Sequence, residues 1–514
     1  MEVLRQNYLF WRLVHYLVIE EKMRVIEISP DQKQVWLEKD QEGNPAVIRV
    51  FRADIDWSKW LKEDIEKAKK SFQKAKRFVA AKKAPFYNVY VSPYPPIDNW
   101  KDAAKKQADY PTLSMSTYVI ASSNTAEESD RVEDLLKDLQ TNSHWKDMEY
   151  VSEEVELETQ HLIREVKQTT EERTQRERSL FLYGKPILTT VLLICILSVY
   201  FIVEQQGGST NITTLIDFGA KYNPAIIDGE WWRLLTAMFL HIGFLHLFMN
   251  SLALYFLGGA VERIYGTFRF FFIYLTAGLF GSAASFAFNE QISAGASGAI
   301  FGCFGALLYF GLIHKKLFFR TMGTSVIVIL IINLSFGFLV PMVDNGAHIG
   351  GLIGGFIASA FLHLPKHRQH VRQLLFLAAA LVAGSGLFAY GFVNEDKGST
   401  PLVQLQMGQE LLEEGEYEDA RPLIESAIEE GEERPEAFFL LAYAEANLEM
   451  YEEARGNLEQ AIELRPEFHE AHYNLALVYR ELGELEEARD SVERALELEP
   501  DEELYQNLAE DLEE

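Results

Sequence analysis

The sequence predicts a multi-domain membrane protein: a polytopic α-helical bundle with a soluble α/β domain before it and an all-α repeat solenoid after it. Three observations predict this class. Seven apolar stretches crowd residues 186–393, mixed helix and strand patterns fill residues 1–140, and residues 401–514 repeat every 34 positions. The mean hydropathy of −0.06 is therefore an average over three unlike regions. So is the net charge of −28. Residues 401–514 hold 35 acidic side chains against seven arginines and no lysine, which leaves residues 1–400 neutral. That balance excludes a basic nucleic-acid-binding protein. Two cysteines, Cys195 and Cys303, exclude a disulfide scaffold, a cysteine-based zinc module and an iron–sulfur site.

Residues 1–150 are expected to form a cytoplasmic α/β domain of ordinary size. A helix is expected near Val3–Glu20, with strands at Arg24–Ile28, Gln34–Glu38 and Ala46–Phe51. A helix near Ser58–Val79, strands near Asn88–Val91 and Ser116–Ala121, and a helix near Glu127–Leu139 complete it. Lys67, Lys69, Lys70, Lys74, Lys76, Arg77, Lys82 and Lys83 form a basic run best read as a solvated helix face. Residues 151–181 follow as a charged helical connector.

Pro186–Val203 carries no charge and is long enough to cross a ~30 Å hydrocarbon core. Six further spans are expected near Phe244–Val261, Phe268–Phe288, Ala296–Ile313, Ser325–Val340, Ile349–Leu364 and Leu374–Val393, the fifth and sixth being the shortest. With a cytoplasmic N-terminus, the inner loops carry Arg263, Arg269, Lys315, Lys316, Arg320, Lys366, Arg368 and Arg372. The outer loops carry only Lys221 and Arg233, a clear positive-inside bias. Seven spans then place the C-terminal repeats outside the cytoplasm. The first twenty residues contain no uncharged core and no small-residue cleavage site, so no cleavable signal is expected.

In the tail, Ala420, Ala454 and Ala488 are spaced by 34, as are Ala427, Ala461 and Ala495, and Pro466 and Pro500 keep the period. Leu475, Ala476, Tyr479 and Gly483 complete the tetratricopeptide (TPR) pattern in the third unit. Small residues recur because paired antiparallel helices approach closely there. Three units and a final acidic helix are expected, forming an anionic groove suited to a peptide.

Polar side chains inside spans are costly and mark function. Ser297 opens the fourth span in G-A-S-G, and His348 opens the sixth in G-A-H-I-G-G. His246 and Asn250 lie early in the second. The loop-charge topology sends all three spans from outside to inside, so the four groups share one depth near the outer leaflet. A helix N-terminus behind Ser297 favours a developing oxyanion. Histidine is the usual base for a serine nucleophile, and Asp344 sits in a loop four residues earlier, so a dyad is expected. Gly295 and Gly298 admit close backbone approach. Phe301, one turn after Ser297, is placed to stack on His348. Glycines of the fourth and sixth spans form small-residue faces that allow tight packing. His241 and His246 are too awkwardly spaced on a helix for a metal pair.

The G-A-S-G motif, H-x4-H-x3-N at His241, His246 and Asn250, A-H-x-x-G at His348 and Gly351, and E-W-W-R ending at Arg233 resemble the rhomboid intramembrane serine proteases. The resemblance spans about Leu182–Leu364, with a seventh span added as in the 6+1 form, so that residues 182–395 make the protease domain and 396–514 the TPR domain. It implies Ser297 as nucleophile and His348 as general base. It further implies His246 and Asn250 as oxyanion donors together with the serine N–H, and Gly295, Gly298, Phe301 and Gly351 as supporting residues. Trp232 and Arg233 would belong to a large first loop in the outer leaflet, His241 would be structural, and Glu262 would be an acid tying that loop region down. Many family members have tyrosine where this chain has Phe301.

The implied reaction is hydrolysis of a peptide bond near the outer end of a transmembrane substrate helix, with no metal or organic cofactor. Implied partners are single-pass or polytopic membrane proteins, the lipid bilayer, and an adaptor or substrate peptide in the TPR groove. The alternative is a catalytically silent scaffold that binds transmembrane clients through its bundle and TPR domain.

Overall fold

The computed structural model describes residues 2–39, 44–75, 84–104, 115–123, 125–141, 145, 154–340, 343–365, 371–393 and 401–513. Lys76, Arg77, Lys82 and Lys83 of the basic run, and the loop cations Lys366 and Arg368, lie outside them. The chain divides into two units, residues 1–181 with 314–323, and residues 182–313 with 324–514.

The first unit is built on a five-stranded sheet: β1 (Arg24–Ile28), β2 (Gln34–Lys39), β3 (Ala46–Arg52), β4 (Phe86–Ser92) and β5 (Met115–Ala121). The strands lie side by side in chain order. β1, β2 and β3 pair antiparallel, whereas β3, β4 and β5 pair parallel. Parallel neighbours need a crossover, and helix Ser58–Ala75 supplies the one between β3 and β4. Alternation in β3 sends Ile48 and Val50 to one core and Val47 to the other, so both faces of the sheet are covered. Arg49 points into the second core, where Asp64, Asn88 and Gln34 accept its hydrogen bonds at 2.7, 3.1 and 2.8 Å.

The connector, Val155–Phe181, is a single helix and part of this unit rather than a free linker. Val166 is fully buried in the core, His15 Nε2 lies 2.7 Å from the Glu165 carboxylate, and Arg320 of the short helix Lys315–Thr321 pairs with Glu177.

In the second unit the seven expected spans are seven helices: Ile187–Gln205, Gly243–Tyr265, Thr267–Phe288, Ser297–Ile313, Gly323–Leu339, Asn345–Leu362 and Arg372–Val393. The fourth and fifth are shortest, at 17 residues each. The fourth begins late because Gly295, with φ +152°, does not continue a helix. In the second, residues Leu254–Gly258 form a π-helical turn.

Glu262 departs from its expected place. It lies on the last turns of the second span, at the end of the bundle remote from the first loop, and ties down the start of the first span. Its oxygens accept the Leu188 and Thr189 amides at 2.9 and 2.8 Å, and the Thr189 and Thr267 hydroxyls at 2.7 and 2.8 Å. First-turn amides have no partner within their own helix, and a lipid-facing start offers no water to replace one. Glu262→Ala orphans four donors around a fully buried site. It should destabilise the bundle by several kcal/mol, since each unsatisfied buried donor costs about 1–3 kcal/mol, read as a lower unfolding temperature in detergent, with Glu262→Gln falling between.

The tail forms helix pairs Pro401–Glu414/Tyr417–Glu429, Pro435–Asn447/Tyr451–Leu464 and His469–Leu482/Leu485–Leu498, then helix Glu503–Glu513. The six periodic alanines are all fully buried. A larger side chain at any of them would push paired helices apart. The first helix of the array packs on a short helix of the first membrane loop, Ile212–Asp217.

Candidate active site

Three helix starts build the site. Ser297 begins the fourth span, His348 lies in the first turn of the sixth, and His246 and Asn250 lie in the first turns of the second. The fourth and sixth spans meet backbone to backbone. A Cβ on Gly351 would lie 1.9 Å from the Gly298 carbonyl oxygen, and one on Gly355 would lie 2.2 Å from that of Gly302. No side chain fits between them. The Phe301 ring stacks on the His348 imidazole with centroids 4.1 Å apart and planes 14° apart. That contact fixes the plane of the imidazole one turn from Ser297. Among the described residues, Ser297 and His348 share no hydrogen bond, and His348 Nδ1 is buried without a partner. Such bonds commonly shorten only when substrate binds.

His246 stands against the segment before the serine. A Cβ on Gly295 would lie 2.9 Å from His246 Cε1 and 3.0 Å from Nε2, so only glycine lets the imidazole this close. The Gly295 N–H donates to the Ala237 carbonyl at 2.8 Å, anchoring the turn into Ser297. Asn250 Nδ2 donates one hydrogen to the His246 carbonyl at 3.2 Å, which leaves its second hydrogen for a ligand. His241 is buried, its ring 5.2 Å from that of His246. Ser297 shares a narrow polar cleft with Lys221, Ser282, Ser285, Ser293 and Ala347.

Arg233 braces the first loop from inside. It donates to the carbonyls of Ile216 and Ala220 at 2.5 and 3.3 Å, pairs with Glu230, and lies 4.8 Å from the Trp232 ring centroid. Trp232 itself is half exposed. Lys221 is fully buried and donates to the Asn289 and Gln291 carbonyls at 2.6 and 2.7 Å. Both cations counted in the outer loops therefore serve as carbonyl clamps.

Asp344 is more than the loop residue the sequence suggested. It caps the sixth span, accepting the Ala347 amide at 2.9 Å and the Ser285 hydroxyl, while its carbonyl accepts the His348 amide at 3.2 Å. The D-x-x-A-H spacing, with an N-cap residue before an apolar helix, was the available signal.

Comparison with known proteins gives the family. Residues 228–365 match the family model described as Rhomboid domain, and residues 405–456 and 448–512 match tetratricopeptide repeat models. The chain belongs to the rhomboid family of intramembrane serine proteases. It is 37% identical over 449 residues to Rhomboid protease GluP of Bacillus subtilis (strain 168), covering 86% of this chain and 85% of that protein. It is also 31% identical over 188 residues to Putative rhomboid protease YdcA of the same organism, covering 36% of this chain and 92% of that one. The protein is accordingly a multi-pass membrane peptidase carrying TPR repeats.

Proposed function

We propose that this protease cuts a peptide bond at or near the outer end of a transmembrane substrate helix, with Ser297 as nucleophile and His348 as general base. The observation that carries the reading is the stacking of Phe301 on His348, one turn beyond Ser297, on helices in backbone contact. Ser297 Oγ attacks the substrate carbonyl carbon while His348 takes its proton, then passes it to the departing amine. Water enters the polar cleft and releases the acyl group by the same relay. The negative oxygen faces the Ser297 amide, the free Asn250 N–H and the His246 imidazole.

The reading divides the chain into a cytoplasmic α/β domain (1–150), a connector (151–181), a membrane protease domain (182–395) and an extracytoplasmic TPR domain (396–514). Loop charges support that orientation, and so does the packing of the first repeat helix on the loop at the Ser297 end of the bundle. Membrane proteins are the substrates, and the TPR groove receives an adaptor or substrate peptide.

Asn250→Ala should lower turnover of a transmembrane reporter by up to ~10²–10³-fold, since one of three donors is lost. Comparable kcat in the two proteins would remove Asn250 from this role. A membrane-proteome comparison between the wild-type strain and Ser297→Ala, seeking fragments cut near an outer helix end, tests the reading as a whole.

A further inference from the structure

Glu410 sits on the first repeat helix, Pro401–Glu414, yet its carboxylate is engaged by the membrane domain. Oε1 accepts the Ile212 amide at 2.6 Å, 198 positions earlier in the chain, and Oε2 accepts the Thr213 amide and hydroxyl at 3.0 and 3.1 Å. Asn211 accepts the Thr214 amide at 2.6 Å, so the first turn of the loop helix is satisfied by one local and one distant side chain. A carboxylate held by three donors through both oxygens is a directional contact, stronger than a neutral pair.

The loop helix leads onward to the nucleophile. Leu215 is buried in an apolar cluster with Val203, Ala220, Leu240 and Ala294. The Ile216 carbonyl is one of the two that hold Arg233. Ala294 precedes Gly295, whose amide is pinned to Ala237, and Ser297 follows two residues later. The chain of links runs from the repeat helix through the hydrogen-bonded first turn of the loop helix and one shared apolar cluster to Ala294, which precedes the serine turn.

We propose that Glu410 is a positioning residue. The first repeat helix clamps the loop helix, and the loop helix keeps the Ala294–Ala296 segment, and so Ser297, in register with His348. The repeat domain then sets the rate of the chemical step besides gathering partners, and anything that draws Pro401–Glu414 off the loop slows the enzyme. This rests on Ser297 and His348 being the reacting pair.

The test uses the full chain in liposomes and a transmembrane reporter without soluble domains, which gives the repeats nothing to recruit. Glu410→Ala is expected to lower kcat about five- to twentyfold at unchanged KM, and Glu410→Gln, with one acceptor oxygen, falls between. A second variant combines Glu410→Cys and Thr213→Cys with Cys195→Ala, Cys303 being buried. Unlinked, it should match Glu410→Ala; bridged by a short bis-maleimide, it should recover turnover toward the unmutated rate. Wild-type rates in Glu410→Ala, or a bridge that forms without recovery, would overturn the proposal. Cleavage by Ser297→Ala would instead remove the reading beneath it.

Discussion

Ser297→Ala and His348→Ala should each bring cleavage of a transmembrane reporter down to background. In soluble serine proteases, loss of either member costs about 10⁶ in turnover, and the double variant is hardly worse than either single one. The same non-additivity is expected here, because a nucleophile without its base and a base without its nucleophile fail alike. The fold should survive both changes. Ser297 makes no side-chain hydrogen bond among the described residues, and His348 contributes mainly its ring contact with Phe301. Rates in membranes, with reporter binding measured separately, check the point. Retained binding with lost cleavage fits a protease, whereas retained cleavage in Ser297→Ala would require another nucleophile.

Gly351→Ala is expected to be damaging too, though by packing and not by loss of a reacting group. Its new methyl would sit 1.9 Å from the Gly298 oxygen, well inside contact distance, with backbone and no flexible side chain on the other side. The fourth and sixth spans must then separate by more than an ångström. Overpacking of this kind costs about 1–3 kcal/mol, and displacing a reacting group by about 1 Å can cost 10²-fold in rate. Activity should therefore fall by about two orders of magnitude, while the unfolding temperature in detergent drops modestly. Gly386→Ala in the seventh span is the matched control, since a Cβ there meets nothing within 4 Å. If the two variants behaved alike, close packing at residue 351 would not matter.

Much of this architecture is legible in the residues alone. The strands at Arg24–Ile28 and Gln34–Lys39 and the connector helix follow from period and composition, and each span from a run of apolar residues. The six alanines mark the repeat helices because a close approach tolerates no larger side chain. The stack of Phe301 on His348 is legible because helical spacing puts Phe301 one turn beyond Ser297 on the same face. What stayed hidden depends on distant partners. Nothing local says that Glu262 caps the first span, that Lys221 and Arg233 turn inward onto carbonyls, or that Glu410 reaches the first loop. A charged residue reads as surface until the fold brings it an acceptor or a donor.

The contact between the fourth and sixth spans acts as a ruler. Side chains in most cores can change rotamer and take up slack, so the gap between two elements drifts with packing. Where main chain rests on main chain, the separation is set by the width of the peptide backbone. Ser297 and His348 are mounted at the same end of that ruler, so thinning or stretching of the surrounding bilayer can tilt the pair together but has little means of prying it open.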